Sequence, residues 1–135
     1  MATLEDVHVI AGKLPGTEER ATAAGAGWLV RGKPYAWECR PWPSIPADMR
    51  EIIAAELVVG VKVGEPIDAL ALVDMAPDVF LRTTTRWGEP KVAFRMAAID
   101  PEHLVELVTE AWRTQAPRYL QRELDASHPP RVPHP

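Results

Sequence analysis

A chain of 135 residues is long enough for one domain that buries its own core. Its 15 Lys and Arg against 19 Asp and Glu give a formal charge of −4, which excludes the whole-molecule basic footprint of a dedicated nucleic-acid binder. No apolar run is long enough to span a bilayer, and the opening MATLEDVHVI lacks a basic stretch followed by an apolar one, so a cytoplasmic protein without membrane contact is expected.

Thr3 is the expected N-cap of a first helix, with Asp6 three positions on as the capping-box partner. Leu4, Val7, Ile10, Ala11 and Leu14 recur at helical spacing and predict a helix over about residues 4 to 13, ended by Pro15-Gly16. Small residues from Thr22 to Gly27 lead to a strand at Trp28-Leu29-Val30. Arg31-Gly32-Lys33 then reads as a hairpin loop in which Gly32 supplies any positive φ, with extended structure resuming from Lys33 to Arg40.

Pro41, Pro43 and Pro46 predict a stiff connection. Ala47 to Glu56 is a predicted helix with Met49, Ile52 and Ile53 on one side, and Leu57 to Val63 a strand rich in β-branched residues. Glu65-Pro66 opens another helix, whose buried side is expected to be Ile67, Leu70, Ala71 and Val73. Val79-Phe80-Leu81 and Lys91 to Ile99 are the last two strands. In the second, Val92, Phe94, Met96 and Ala98 alternate with Lys91, Ala93, Arg95 and Ala97. Asp100-Pro101-Glu102 caps the main C-terminal helix, which turns Leu104, Leu107, Val108, Ala111 and Trp112 to the core and breaks at Ala116-Pro117 before another helical turn.

This order predicts an α+β fold: an antiparallel sheet with helices packed on one face, bracketed by N- and C-terminal helices. One domain is expected over residues 1–125, and the Pro-rich segment 126–135 is predicted to be disordered.

Several segments in this order resemble the MmcQ/YjbR-like family. They are Leu14-Pro15-Gly16-Thr17-Glu18-Glu19, Val30-Arg31-Gly32-Lys33-Pro34-Tyr35-Ala36, Asp78-Val79-Phe80, Ile99-Asp100-Pro101 and the helix end Ala111-Trp112-Arg113 with Ala116-Pro117. The resemblance covers roughly residues 3 to 125. It implies a frataxin-like (CyaY-like) arrangement and a DNA-binding role through a pair of loops or wings. The chain departs from the family where relatives often carry a His-containing turn followed by Gly-Tyr. Here Thr84 to Pro90 stands instead, so any histidine function of that turn is absent.

The candidate nucleic-acid-binding residues are Arg82, Arg86, Trp87, Lys91 and Arg95 around one turn, and Arg31 and Lys33 around the other. Arginine and lysine can contact phosphates and a turn tryptophan can stack on a base; the same residues also make an ordinary solvated sheet face. Trp28, Trp37 and Trp112 sit in apolar patterns and are assigned to the core, and Trp42, between two prolines, is expected to plug a surface groove.

No metal site is expected, because His8, His103, His128 and His134 are scattered and Cys39 has no partner cysteine. No nucleophile elbow, Walker loop or dinucleotide fingerprint points to an enzyme or a cofactor. Cys39 beside Arg40 has the sequence context of either a reactive thiolate or a small buried hydrophobe. The functional expectation that the resemblance implies is DNA binding, weak and salt-dependent given the few basic residues and the net acidic charge. The alternative is a protein- or small-ligand-interaction module with its surface near Trp42 and Trp87.

Overall fold

The computed structural model describes residues 2–23, 25–82 and 90–127. Helix α1 (Leu4–Gly12) begins where the Thr3 amide donates to the Asp6 carboxylate at 2.7 Å. It ends ahead of Gly16, which takes φ 70°. A three-strand meander follows: β1 (Thr17–Thr22), β2 (Gly25–Val30) and β3 (Lys33–Glu38). Only two residues close the β2–β3 turn, and both have positive φ, 53° at Arg31 and 79° at Gly32, as a type I′ turn demands. Gly32 alone was expected to do this; Arg31 shares the task at a steric cost of roughly 1 kcal/mol.

The chain continues through α2 (Ala47–Ala55), β4 (Val58–Lys62), α3 (Pro66–Met75), β5 (Phe80–Leu81) and β6 (Lys91–Arg95) to α4 (Pro101–Gln115) and α5 (Arg118–Ser127). The six strands lie in the order β1-β2-β3-β4-β6-β5 with every neighbouring pair antiparallel, so the α+β class is as the sequence predicts. Helix α5 carries Ala126 and Ser127, so these two belong to the folded domain rather than to the tail; residues 128–135 lie outside the described set.

One sheet face holds the main core. Val59, Val61, Val92, Phe94 and Phe80 meet α1, α3, α4 and α5 there, and Trp28 and Trp112 are buried among them. Leu104, Leu107, Val108, Ala111 and Trp112 of α4 are buried as the spacing requires. The Trp112 indole also donates to the Pro15 carbonyl at 3.0 Å, which ties the C-terminal helix to the first turn. Asp100 accepts from the His103 amide at 3.3 Å, and the Gln121 side chain donates to the Ala116 carbonyl at 2.9 Å where Pro117 breaks the helix.

Three details differ from the expectation. Strand β6 ends at Arg95 rather than Ile99, because the Ala98 and Ile99 amides turn back to the Arg95 carbonyl, and Ala98 is exposed. Helix α2 lies on the opposite face, where Ile45 and Ile53 pack on Val58, Leu81 and Ala93, so the helices do not all share one side. Helix α3 turns Ala69, Leu72 and Val73 inward and leaves Ile67 65% exposed, because its sequence is apolar almost all round and the spacing does not choose a face. Among the described residues no helix is long and apolar enough to cross a membrane.

Candidate functional site

Directly opposed residues of antiparallel strands project to the same side. The registers Arg20↔Gly27, Gly27↔Trp37, Trp37↔Gly60, Gly60↔Ala93 and Leu81↔Ala93 therefore form one row across all six strands, on the face opposite the main core. Helix α2 covers the Ala93–Leu81 end of this row. The other end is open.

Trp37 lies flat along the open part, over Gly60. A methyl group at Gly60 would land inside the indole, so glycine is needed there for close approach. The Lys62 ammonium sits 5.9 Å from the Trp37 ring centroid, within cation–π range. Lys62 in turn is directly opposite Lys91 in the strand register, so both lysines project from the same face at the same end of β4 and β6.

On the other side of Trp37 the floor is bare. A methyl group built at Gly27 would meet nothing within 4 Å. The space above it is a groove of about 280 Å³, bounded by Arg20, Thr22, Leu29, Pro34, Trp37 and Trp42. Trp42 is 53% exposed, so it walls the groove rather than plugging it, contrary to the expectation. The Trp42 amide donates to the Arg40 carbonyl at 2.8 Å and its carbonyl accepts from Ile45 at 3.0 Å, so the segment between the prolines is held in place.

The sequence-selected cations divide between the two ends of the sheet. Arg31 and Lys33 form the β2–β3 turn, Arg82 follows β5 and Lys91 starts β6; the antiparallel order brings all four to one end, with Lys62 among them. Arg95 is at the other end, roughly 13 Å along β6 from Lys91. Its guanidinium grips Glu56 at 2.7 and 3.1 Å and donates to the Asp78 carbonyl at 2.9 Å, so Arg95 fastens β6 to the segments flanking it. Arg86 and Trp87 lie outside the described residues.

Sequence reasoning overlooked Lys62 and placed Trp37 in the core. The signal for Lys62 was there, since period two along Val58, Gly60 and Lys62 puts it on the outer face.

Cys39 packs with the α2 cluster. Burial pushes its thiol up to about 12, Lys91 pulling partly the other way, so at neutral pH it is a protonated hydrophobe and not a nucleophile. Burial likewise raises the Tyr35 phenol to about 12, partly opposed by its 3.0 Å hydrogen bond with Thr17. Among the described residues no three His, Cys, Asp or Glu side chains converge to hold a metal ion. Asp6, Glu18 and Glu19 near the first helix are engaged by Thr3, Arg20 and His8.

No family model matches the chain. In fold it is similar to the Deinococcus radiodurans protein DR2400, whose domain is DUF419, with a TM-score of 0.65 and 17% identity over 92% of this chain and 88% of that one. In sequence it is 38% identical over 124 residues to the uncharacterised proteins Rv2570 and MT2646 of two Mycobacterium tuberculosis strains and Mb2600 of Mycobacterium bovis, covering 89% of this chain and 93% of each relative. At that identity over nearly the full length of both, the chain belongs to the family of these mycobacterial proteins.

Proposed function

We propose that the chain is a binding protein of the MmcQ/YjbR-like type, without a catalytic step, that contacts nucleic-acid phosphates through the open end of its sheet. The observation carrying this reading is the opposed pair Lys62 and Lys91 beside the Trp37 plate, with Arg31 and Lys33 at the neighbouring turn. DUF419, the domain of the fold neighbour, is the MmcQ/YjbR-like family, which supports the type. Four phosphate contacts give a salt slope of about −3.5, so affinity should fall roughly a hundredfold between 50 and 200 mM salt. A net charge of −4 keeps the binding weak.

The test is fluorescence anisotropy of a labelled mixed-sequence DNA at those two salt concentrations, with Lys62→Glu and Lys91→Glu beside the wild type. Loss of binding in both variants is expected. Unchanged affinity in folded variants rules out this end of the sheet.

A protein-interaction module is the second reading, favoured by the outer side of α3, where Ile67 and Met75 are 65% and 67% exposed. Under it, Ile67→Glu abolishes partner capture and leaves DNA titrations unaltered.

A further inference from the structure

The groove over Gly27 leaves the outer side of β2 bare. Glycine inside a strand weakens it, through lost chain entropy and the missing side chain. Gly25 takes φ 106° at the start of β2, and Gly60 lets the Trp37 indole lie on the backbone. Gly27 adjoins the register shift of β2 at Trp28/Leu29, and no atom lies within 4 Å of its vacant Cβ position. The strand is open there to a molecule lying on it from outside.

What the groove offers is an aromatic plate and an aromatic wall. Trp37 stands beside Gly27 on the next strand, and the exposed Trp42 rises from a segment stiffened by Pro41 and Pro43. At about 280 Å³ it takes one planar ring, not a base pair. Lys62 on β4 is two strand spacings from β2 and Lys91 on β6 three, roughly 10 and 14 Å across the sheet, which the flanking nucleotides of a bound strand can span. Arg20, paired with Glu18, and Thr22, which donates to the Gly25 carbonyl, form the polar rim of the groove. In a duplex the base faces are stacked on each other and cannot enter; in a single strand they can.

We propose that this groove receives an unstacked nucleobase between Trp37 and Trp42, so that the protein prefers single-stranded nucleic acid to duplex. This rests on the phosphate reading above. Stacking on aromatic side chains is tolerant of sequence, so the preference is for strand form rather than for a motif.

The experiment titrates a labelled mixed-sequence 12-mer, its duplex and an unlabelled mononucleotide competitor at 50 mM salt. The wild type is compared with Gly27→Val, Trp42→Ala and Lys62→Glu, each checked for folding by circular dichroism. Gly27→Val fills the groove with a strand-favouring side chain and should fold at least as well as the wild type. The single strand is expected to bind about tenfold or more tighter than the duplex, with that advantage lost in Gly27→Val and Trp42→Ala. If the duplex binds equally well, responds to Lys62→Glu and ignores Gly27→Val, the groove proposal falls while the phosphate reading stands. If the mononucleotide competes as well as the 12-mer, the site is a small-nucleotide site and the strand preference is wrong. If neither strand form binds, both readings fall together.

Discussion

Gly27 and Gly60 occupy the same row of the sheet on either side of Trp37, yet alanine should act on them with opposite sign. At Gly60 the new methyl overlaps the Nε1, Cε2 and Cζ2 atoms of the indole. Overpacking of this kind costs about 1–3 kcal/mol. The indole can relieve it only by lifting off the sheet, which breaks the Lys62 contact and forfeits a further ~0.5–1 kcal/mol. Against this, replacing glycine in a strand returns roughly 0.5–1 kcal/mol. The net for Gly60→Ala is a destabilisation of about 1–2 kcal/mol, which lowers Tm by roughly 4–8 °C in a domain of this size. At Gly27 only the favourable part applies, since the methyl enters open space, and Gly27→Ala should raise Tm by about 2–4 °C. Urea and thermal unfolding followed by circular dichroism, with tryptophan emission read alongside, measure both. A red shift in emission should accompany Gly60→Ala only. Equal stabilities, or a Gly27→Ala variant weaker than Gly60→Ala, would refute the placement of Trp37 over β4 and the open floor over β2.

Arg31→Asn should stabilise the protein by about 0.5–1 kcal/mol in denaturant unfolding, because Asn tolerates the left-handed region that the β2–β3 turn imposes. Arg95→Gln should lower stability, since Glu56 loses its bidentate partner, but should leave nucleic-acid affinity per folded molecule unchanged; reduced affinity would return Arg95 to the interface. Folded-state pKa values raised to about 12 at both Cys39 and Tyr35 mean that the native state keeps protons the unfolded chain gives up. Their contribution is whole below the unfolded values near 9 and 10 and is lost as pH rises toward 12, so unfolding free energy should fall by a few kcal/mol over that window. Alkylation of native Cys39 at pH 8 should run roughly a thousandfold slower than in denaturant, a difference of about three units in thiol pKa.

The segments whose neighbours are close in sequence were readable. Asp100-Pro101 announces the start of α4 and its leucines keep a 3.6 period, so both its bounds and its buried face follow from the residues. The alternation of β6 places Val92 and Phe94 in the main core, but Ala93 on the other face is buried as well, under α2, which the alternation does not reveal. What could not be read depends on partners far along the chain. Glu56, 39 residues before Arg95, turns an apparent binding cation into a structural clamp. Strand β1 is an edge strand with no buried residue, so it carries no apolar alternation to betray it. The side of the sheet taken by α2 depends on which pair of apolar surfaces meets, and both sheet faces near Val58 and Val59 are apolar. The site itself is a product of register: Trp37, Gly27 and Gly60 are scattered in sequence and become a plate, a floor and a support only when β2, β3 and β4 align.

The most direct measurement is amide and indole chemical-shift mapping by ¹H–¹⁵N NMR during titration with a short DNA single strand. The predicted result is shift changes confined to the open face: the Trp37 and Trp42 indole N–H signals, Gly27, Lys62, Lys91 and the Arg31-Gly32 turn. Shifts gathered instead on the outer side of α3, or along α1 and α4 behind the sheet, with those signals unmoved, would contradict the assignment of the open sheet face as the nucleic-acid interface.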